Sequence, residues 1–281
     1  DVAPSRGLGD VYKRQIKYIC IAALLIVVLF PIIWLVAGSF KLEKEILSFP
    51  PTVFGEHFSM KSFQRIFDAI PFLQYIANTV IFALGATGLA LVFDSAAGYA
   101  FAQLDFKGKN FLFVVVLLTM MVPFQVMMIP LFLESNYLGL LNTYMGLILP
   151  KATTAFGVFM MRSYFAQQPH ELGEAARIDG LSEIGIFFRI FLPLVVPGLM
   201  TLGIFHLMNN WNDLLYPLMM TTETKMRTLS AGLALFVGER STTYYGPQLA
   251  GALISILPLM VLYAFFQKYF IASVATSGMK D

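Results

Sequence analysis

Charge is scarce in this chain. Only 13% of its 281 residues are Asp, Glu, Lys or Arg, about half of what a soluble domain carries. That excludes a soluble globular enzyme. The formal net charge of +2 makes no case for nucleic acid. Cysteine is almost missing. Cys20 stands alone, so no internal disulfide forms, and with no CxxC or Cys/His cluster there is no metal site to read. The three histidines, His57, His170 and His206, are scattered without metal or triad spacing. No G-x-x-x-x-G-K-[ST] loop occurs, and the nearest stretch, "FKGKN", lacks the frame. Internal repeats and low-complexity tracts are also missing.

What is present is apolar residue in long runs, 58% of the chain. A span needs about 20 such residues. Six candidates fit: 16–38, 72–102, 110–131, 142–164, 188–215 and 249–270. The expected fold is therefore an all-α polytopic membrane protein with six transmembrane helices. The first run is too long for a signal-peptide core and lacks a clear A-x-A site, so it reads as a retained span. Residues 1–15 show no apolar periodicity. They read either as a disordered cytoplasmic tail or as sequence foreign to the protein, and residues 16–281 as one domain. Lys and Arg near span ends place both termini inside. The loop "ESNYLGLLNT", with no Lys or Arg, reads as external. Two longer outer segments, around "FKLEKEILSFPP" and "MMTTETKMRTLS", read as ordered external loops. Prolines 31, 123, 130, 150, 193, 197, 217 and 258 fall in or beside the spans, where each is expected to kink its helix.

One stretch breaks the apolar pattern. "QQPHELGEAARIDG" has a proline suited to a first helical turn, Pro169, and a glycine suited to the position past the end, Gly180. About eleven helical residues are expected between them, roughly 16 Å at 1.5 Å each. Glu174 and Arg177, three apart, are placed for an intrahelical ion pair. Leu172, Ala175 and Ala176, with Ile178 at the edge, form one side. A second short helix is expected after Ser182, ended or kinked by Pro193. The product is a helix–turn–helix elbow on the cytoplasmic side. It reads either as an ordinary loop packed on its own bundle or as a helix offered to a partner's groove.

"EAARIDG" followed by "FLPLVVPG" resembles the EAA loop of ABC-importer permeases, the binding-protein-dependent transport inner-membrane components. The matching elements are Glu174, Ala175, Ala176, Gly180, Leu192 and Pro193. "GYAFAQLDFKGK", "MVPFQVMMIPLF", "LGLLNTYMGLILP" and "WNDLLYPLMM" are similar to the carbohydrate branch, the maltose-permease-like second subunits. The C-terminus, "IASVATSGMKD", departs from the Gly-containing tail of many relatives. The resemblance implies a multi-pass subunit of the bacterial cytoplasmic (inner) membrane. Its implied partners are a second permease, two cytoplasmic ABC ATPases and an extracytoplasmic solute-binding protein. It implies that this chain binds no cofactor, ATP-Mg being held by the partner ATPase. It also implies a coupling surface at Glu174, Ala175, Ala176, Arg177, Asp179, Gly180 and Pro193, with Glu174 meeting a basic residue of the ATPase cleft.

Polar residues inside spans usually face a bundle interior or a cavity. "NNWNDLL" holds Asn209, Asn210, Trp211, Asn212 and Asp213. They read either as interhelical glue with an interfacial Trp, or as part of a sugar path, since amides, a carboxylate and an aromatic face suit hydroxyl-rich solutes. Gln125 and Asn78 join this candidate path. Lys151 reads as lining a polar cavity or pairing with an acid, and Asp94 as a buried acid paired with a neighbour or as a proton-relay group. The function expected is a carbohydrate permease subunit of an ATP-driven importer. The alternatives are an ABC permease for another small solute, or an ion-driven secondary transporter, which needs paired intramembrane acids and inverted repeats.

Overall fold

The computed structural model describes residues 8–238 and 244–277. The first seven residues of the tail, 239–243 of the second outer segment and the last four residues of the chain lie outside that description.

Helix is the regular structure of the described residues, with no strand among them. In chain order the helices are α1 (Leu8–Ser39), α2 (Glu43–Ile46), α3 (Lys61–Ala69), α4 (Phe72–Gln103), α5 (Lys109–Thr119), α6 (Phe124–Tyr137), α7 (Tyr144–Ile148), α8 (Ala155–Phe165), α9 (Glu171–Ile178), α10 (Glu183–Ile186), α11 (Leu192–Leu194), α12 (Val196–Asn212), α13 (Leu215–Met220), α14 (Leu229–Gly238) and α15 (Tyr245–Ser277). Helix α1 starts at Leu8, ahead of the expected span, because no proline interrupts it before the apolar run begins.

Among the described residues, three helices are long and apolar enough to cross a membrane, and up to six if each bent pair counts as one span. The difference from six uninterrupted runs lies at the prolines. The pair α5–α6 bends by 98°, the stretch from Tyr144 to Phe165 by 46°, and the stretch from Glu183 to Asn212 by 83°. Pro123 is the N-cap of α6, while Pro150, Pro193 and Pro197 sit in the first turn of new helical segments. These four do not kink helix interiors. They start helices, where the absent N–H has no intrahelical partner to lose. Pro217 likewise falls in the first turn of α13, whereas Pro31, Pro130 and Pro258 lie in helix interiors.

The chain divides into two compact units. The first comprises residues 1–70 and 239–257. Helix α1 exposes apolar side chains all round, as a helix facing lipid or another apolar surface does. The Phe40 ring stacks on Phe58 at 4.7 Å and meets Phe63 at 5.0 Å. The Glu43 carboxylate accepts hydrogen bonds from the N–H groups of Tyr245 (2.7 Å) and Gly246 (3.1 Å). A carboxylate there suits the positive end of α15.

The second unit comprises 71–238 and 258–281 and is organised around α4, which packs against α7, α8, α12 and α14. Ala83, Ala86, Ala90, Gly98 and Ala102 repeat at helical spacing along its buried side. Small residues let neighbouring helices come close. A Cβ on Gly98 would sit 2.6 Å from the Met161 Cβ and 2.7 Å from the Arg162 N. Asp94 lies on this same stripe and is fully buried. One acid on the line where α8 and α12 meet α4 must find its partners from those two helices.

Candidate functional site

The elbow after α8 and a cavity beside α12 each combine polar chemistry with accessibility.

The elbow forms as its sequence dictates. Glu171 and Glu174 lie in the first turn of α9, where carboxylates complement the dipole. The helix is eight residues long, because Pro169 and His170 are spent on the turn before it. Gly180 has φ +82°. The Leu181 N–H donates to the Ala176 carbonyl and the Gly180 N–H to the Arg177 carbonyl, each at 3.0 Å. That is a Schellman stop, and it needs a residue content with positive φ. Ser182 then caps α10, its hydroxyl accepting from the Gly185 N–H at 3.2 Å. A π-helical turn over Phe187–Phe191 leads into α11 at Leu192, with Pro193 in its first turn, and Val195 breaks the path before α12.

The side facing the protein is Gly173 and Ala176, so Ala176 parts from Leu172 and Ala175, with which spacing had grouped it. Gly173 packs on the Phe191 ring, which would lie 3.3 Å from an added Cβ. Ala176 joins a core of Tyr99, Phe165, Phe187 and Phe191. Glu174, Ala175, Asp179 and Gly180 are exposed. So are Leu172 and Ile178, the latter at 88%, and the neighbouring Ile184 and Phe188. The expected Glu174–Arg177 pair is not made. The Arg177 guanidinium reaches across the turn to Glu183, with Nε–Oε1 2.5 Å and a second bond of 3.2 Å from its NH2 group to Oε2. Those bonds raise the guanidinium pKa beyond its ordinary value. Across the Schellman turn Arg177 meets both oxygens of one carboxylate, the two-bond fork that makes such pairs strong. Glu183 also accepts from the Tyr99 hydroxyl at 3.4 Å, tying the elbow to α4.

The cavity measures about 540 Å³. Phe124, Phe156 and Phe205 give it ring faces, and Lys151, Asn209, Asn212 and Asp213 give it polar groups. Lys151 Nζ lies 2.7 Å from Asp213 Oδ2, and 5.3 Å and 4.8 Å from the centroids of the Phe124 and Tyr216 rings. Asp213 Oδ1 accepts from the Tyr216 N–H at 3.2 Å, fixing the start of α13. Asn210 is buried and donates to the Thr87 hydroxyl of α4 at 3.3 Å.

The structure does not gather every residue of the expected path here. Trp211 is buried on another side of α12, where its carbonyl accepts from Ser230. Gln125 is exposed and does not line the cavity. Asn78 is buried and acts as a staple. Its Nδ2 donates to the carbonyls of Lys225 (2.8 Å) and Arg227 (2.9 Å), and its Oδ1 accepts from Tyr144 at 2.7 Å. A four-bond clamp elsewhere was not expected in full. Asp94 accepts from the Thr153 hydroxyl, the Thr154 N–H and the Thr154 hydroxyl at 2.7, 2.9 and 3.1 Å, and His206 Nε2 lies 3.1 Å from its Oδ2. His206 also lines the cavity, although 112 residues separate it from Asp94.

An all-α multi-pass chain with a solvent-facing helix elbow and a polar cavity between helices is a membrane transport subunit in form. Residues 94–276 match the family model of the binding-protein-dependent transport system inner membrane component, and the chain belongs to that family. It is a permease component of an ABC importer, a multi-pass protein of the inner membrane. It is 38% identical to the arabinooligosaccharides transport system permease protein AraQ of Halalkalibacterium halodurans, over 90% of this chain and 92% of that one. It is 31% identical to the sulfoquinovosyl glycerol transport system permease protein SmoH of Agrobacterium fabrum, over 99% of each. It is 30% identical to the trehalose/maltose transport system permease protein MalG of Thermococcus litoralis, over 96% and 98%. Its fold is similar to that of a solved bacterial ABC transporter involved in the import of the acidic polysaccharide alginate. The TM-score is 0.82 at 22% sequence identity, covering 95% of this chain and 100% of that one.

Proposed function

We propose that this chain is the carbohydrate-specific permease subunit of an ATP-driven importer, with residues 16–281 acting as one permease domain. It pairs with a second permease to enclose the pore and takes solute from an extracytoplasmic binding protein. Both termini lie in the cytoplasm. Two cytoplasmic ATPases hold the ATP-Mg and dock on the elbow of each permease. The observation that carries this reading is the split face of α9. Gly173 and Ala176 fasten the helix to the bundle, while Leu172, Glu174, Ala175 and Ile178 stay exposed. An eight-residue helix is marginal alone. Held by its own core, with Leu172, Ala175 and Ile178 exposed beside charged groups on its outer side, it suits a partner's groove. Ala175 permits close approach, Glu174 supplies a charge for a basic residue, and Gly180 with Asp179 turns the chain toward Arg177–Glu183. Through Tyr99 that pair passes motion of α9 to α4. The carbohydrate reading is supported by the cavity, where amides, a carboxylate and three rings converge as hydroxyl-rich solutes require, and by the sugar transport named for AraQ and MalG.

Co-purification tests the coupling role. The permease is expressed with its ATPase, second permease and binding protein, wild type beside Glu174→Lys. Wild type is expected to retain the ATPase in detergent. The reversed charge is expected to weaken docking by about 2–5 kcal/mol, the cost of leaving a desolvated charge without its partner, with membrane insertion unchanged. Equal recovery of ATPase by both would remove Glu174 from the coupling surface.

A further inference from the structure

The clamp on Asp94 has a consequence for the cavity. The Thr154 N–H can only donate. The Thr154 hydroxyl accepts from the Gly157 N–H at 2.9 Å as the N-cap of α8, so its own proton is free to go to Asp94. The Thr153 hydroxyl lies 2.7 Å from Asp94 Oδ1. Three donors thus converge on a side chain with no exposure, and an ionised carboxylate is acceptor-only. The fourth neighbour, His206 Nε2, lies 3.1 Å from Asp94 Oδ2; beside the acceptor-only carboxylate that these three donors suit, it is the donor, because two acceptors at that distance would repel. A carboxylate that holds one ring nitrogen fixes both the tautomer and the ring orientation. The other nitrogen, Nδ1, makes no hydrogen bond among the described residues, and His206 stands in the cavity wall on the same helix as Asn209 and Asn212.

We propose that His206 is a solute-contacting residue whose unprotonated Nδ1 accepts a hydrogen bond from a hydroxyl of a neutral sugar, and that Asp94 is its positioning residue. This rests on reading the cavity as part of the solute path. A site that presents a fixed acceptor favours a hydroxyl and rejects an analogue that lacks it.

Two substitutions separate the roles. The amide nitrogen of Gln reaches the position of Nε2, so His206→Gln keeps the bond to Asp94 and removes the cavity acceptor. The amide of Asn reaches the position of Nδ1, so His206→Asn does the reverse. In the complete importer reconstituted in liposomes, His206→Gln is expected to assemble and hydrolyse ATP as wild type does. It is expected to move roughly three- to tenfold less solute, the worth of one hydrogen bond. His206→Asn is expected to lower the thermal midpoint of the complex while retaining transport per assembled complex. Wild-type transport by His206→Gln overturns the proposal, as does parallel loss of stability and transport in both variants. Asn209→Ala is measured alongside. If it lowers transport while His206→Gln does not, only the role of His206 falls; if both are silent, the cavity reading falls with it. The part played by Asp94 is read from ring ¹⁵N signals of histidine-labelled protein carrying His57→Gln and His170→Gln. A protonated Nε2 with bare Nδ1 is expected, and Asp94→Asn is expected to redistribute the tautomers. Protonation of Nδ1 at neutral pH in the wild-type background overturns the assignment.

Discussion

Gly157→Ala is expected to cost about 3–5 kcal/mol of stability, the sum of overpacking and the loss of charge-assisted hydrogen bonds. Gly157 lies in the first turn of α8, and a Cβ there would overlap Asp94 Oδ2. It would also lie 2.5 Å from the Asp94 Cγ and 2.9 Å from the Thr154 hydroxyl. The far end of a long side chain could swing away from such a clash. Asp94 cannot, because four hydrogen bonds hold both of its oxygens. Either the carboxylate moves and is left underpaired where no water replaces its donors, or α8 moves and gives up its contact with α4 at Gly98. Gly88→Ala, on α4 itself, is the control. Nothing lies within 4 Å of its added Cβ, so it is expected to be neutral or to stabilise by about 0.5–1 kcal/mol through helix propensity. Thermal midpoints of the two variants, followed by size-exclusion in detergent, should therefore move in opposite directions or differ by many degrees. Equal midpoints would mean that the Asp94 clamp contributes little to holding α4, α8 and α12 together.

The contrast between these glycines shows where reading the sequence succeeded and where it stopped. Features set by neighbours in the chain were legible. The Gly180 stop and the restart at Ser182 each depend on a few adjacent residues, and each lies where the pattern put it; the break expected at Pro193 comes two residues later, at Val195. The long apolar runs were legible for the same reason. The breaks inside three of them were only half legible. A proline announces itself, but whether it kinks one helix or starts another depends on what packs on either side. Arg177 was misassigned because spacing offers Glu174, while the fold brings Glu183 around the glycine turn. The clamp on Asp94 was least legible of all. His206 comes from the fifth apolar run and Thr153 and Thr154 from the fourth, and no local pattern joins them to the second. The one available signal was Asp94 itself: an acid within a run of alanines requires donors from whichever helices close on it. Asn78 and Trp211 show the converse. Their types suggested solute contact, and the fold uses Asn78 to fasten the 225–227 segment and buries Trp211 away from the cavity.

Lys151→Met is the other substitution with a large expected effect, and it separates architecture from transport. Lys151 and Asp213 are mostly buried, at 27% and 16% side-chain exposure, with 2.7 Å between charged atoms. Removing one member of a buried pair leaves the other charge uncompensated, at about 3–5 kcal/mol where burial is complete. Partial access to the cavity should bring the loss nearer to 2–4 kcal/mol. Asp213→Asn should cost less, because the amide oxygen can still accept from the Tyr216 N–H, and Lys151 keeps the Phe124 and Tyr216 rings as favourable surroundings. The double variant, Lys151→Met with Asp213→Asn, has no orphaned charge and should recover most of the stability lost by Lys151→Met alone. Non-additivity of that sign, measured as a double-mutant cycle on thermal midpoints, is what a coupled pair predicts. Additive losses would mean that the two charges are screened from each other despite their distance. Transport should not follow the same cycle. The pair forms one polar wall of the cavity, so the rescued double variant is expected to fold, assemble and bind the ATPase, yet carry solute poorly. If transport returns together with stability, the ion pair is scaffolding, and solute recognition in this chain rests with the amides of Asn209 and Asn212 and the rings that face them.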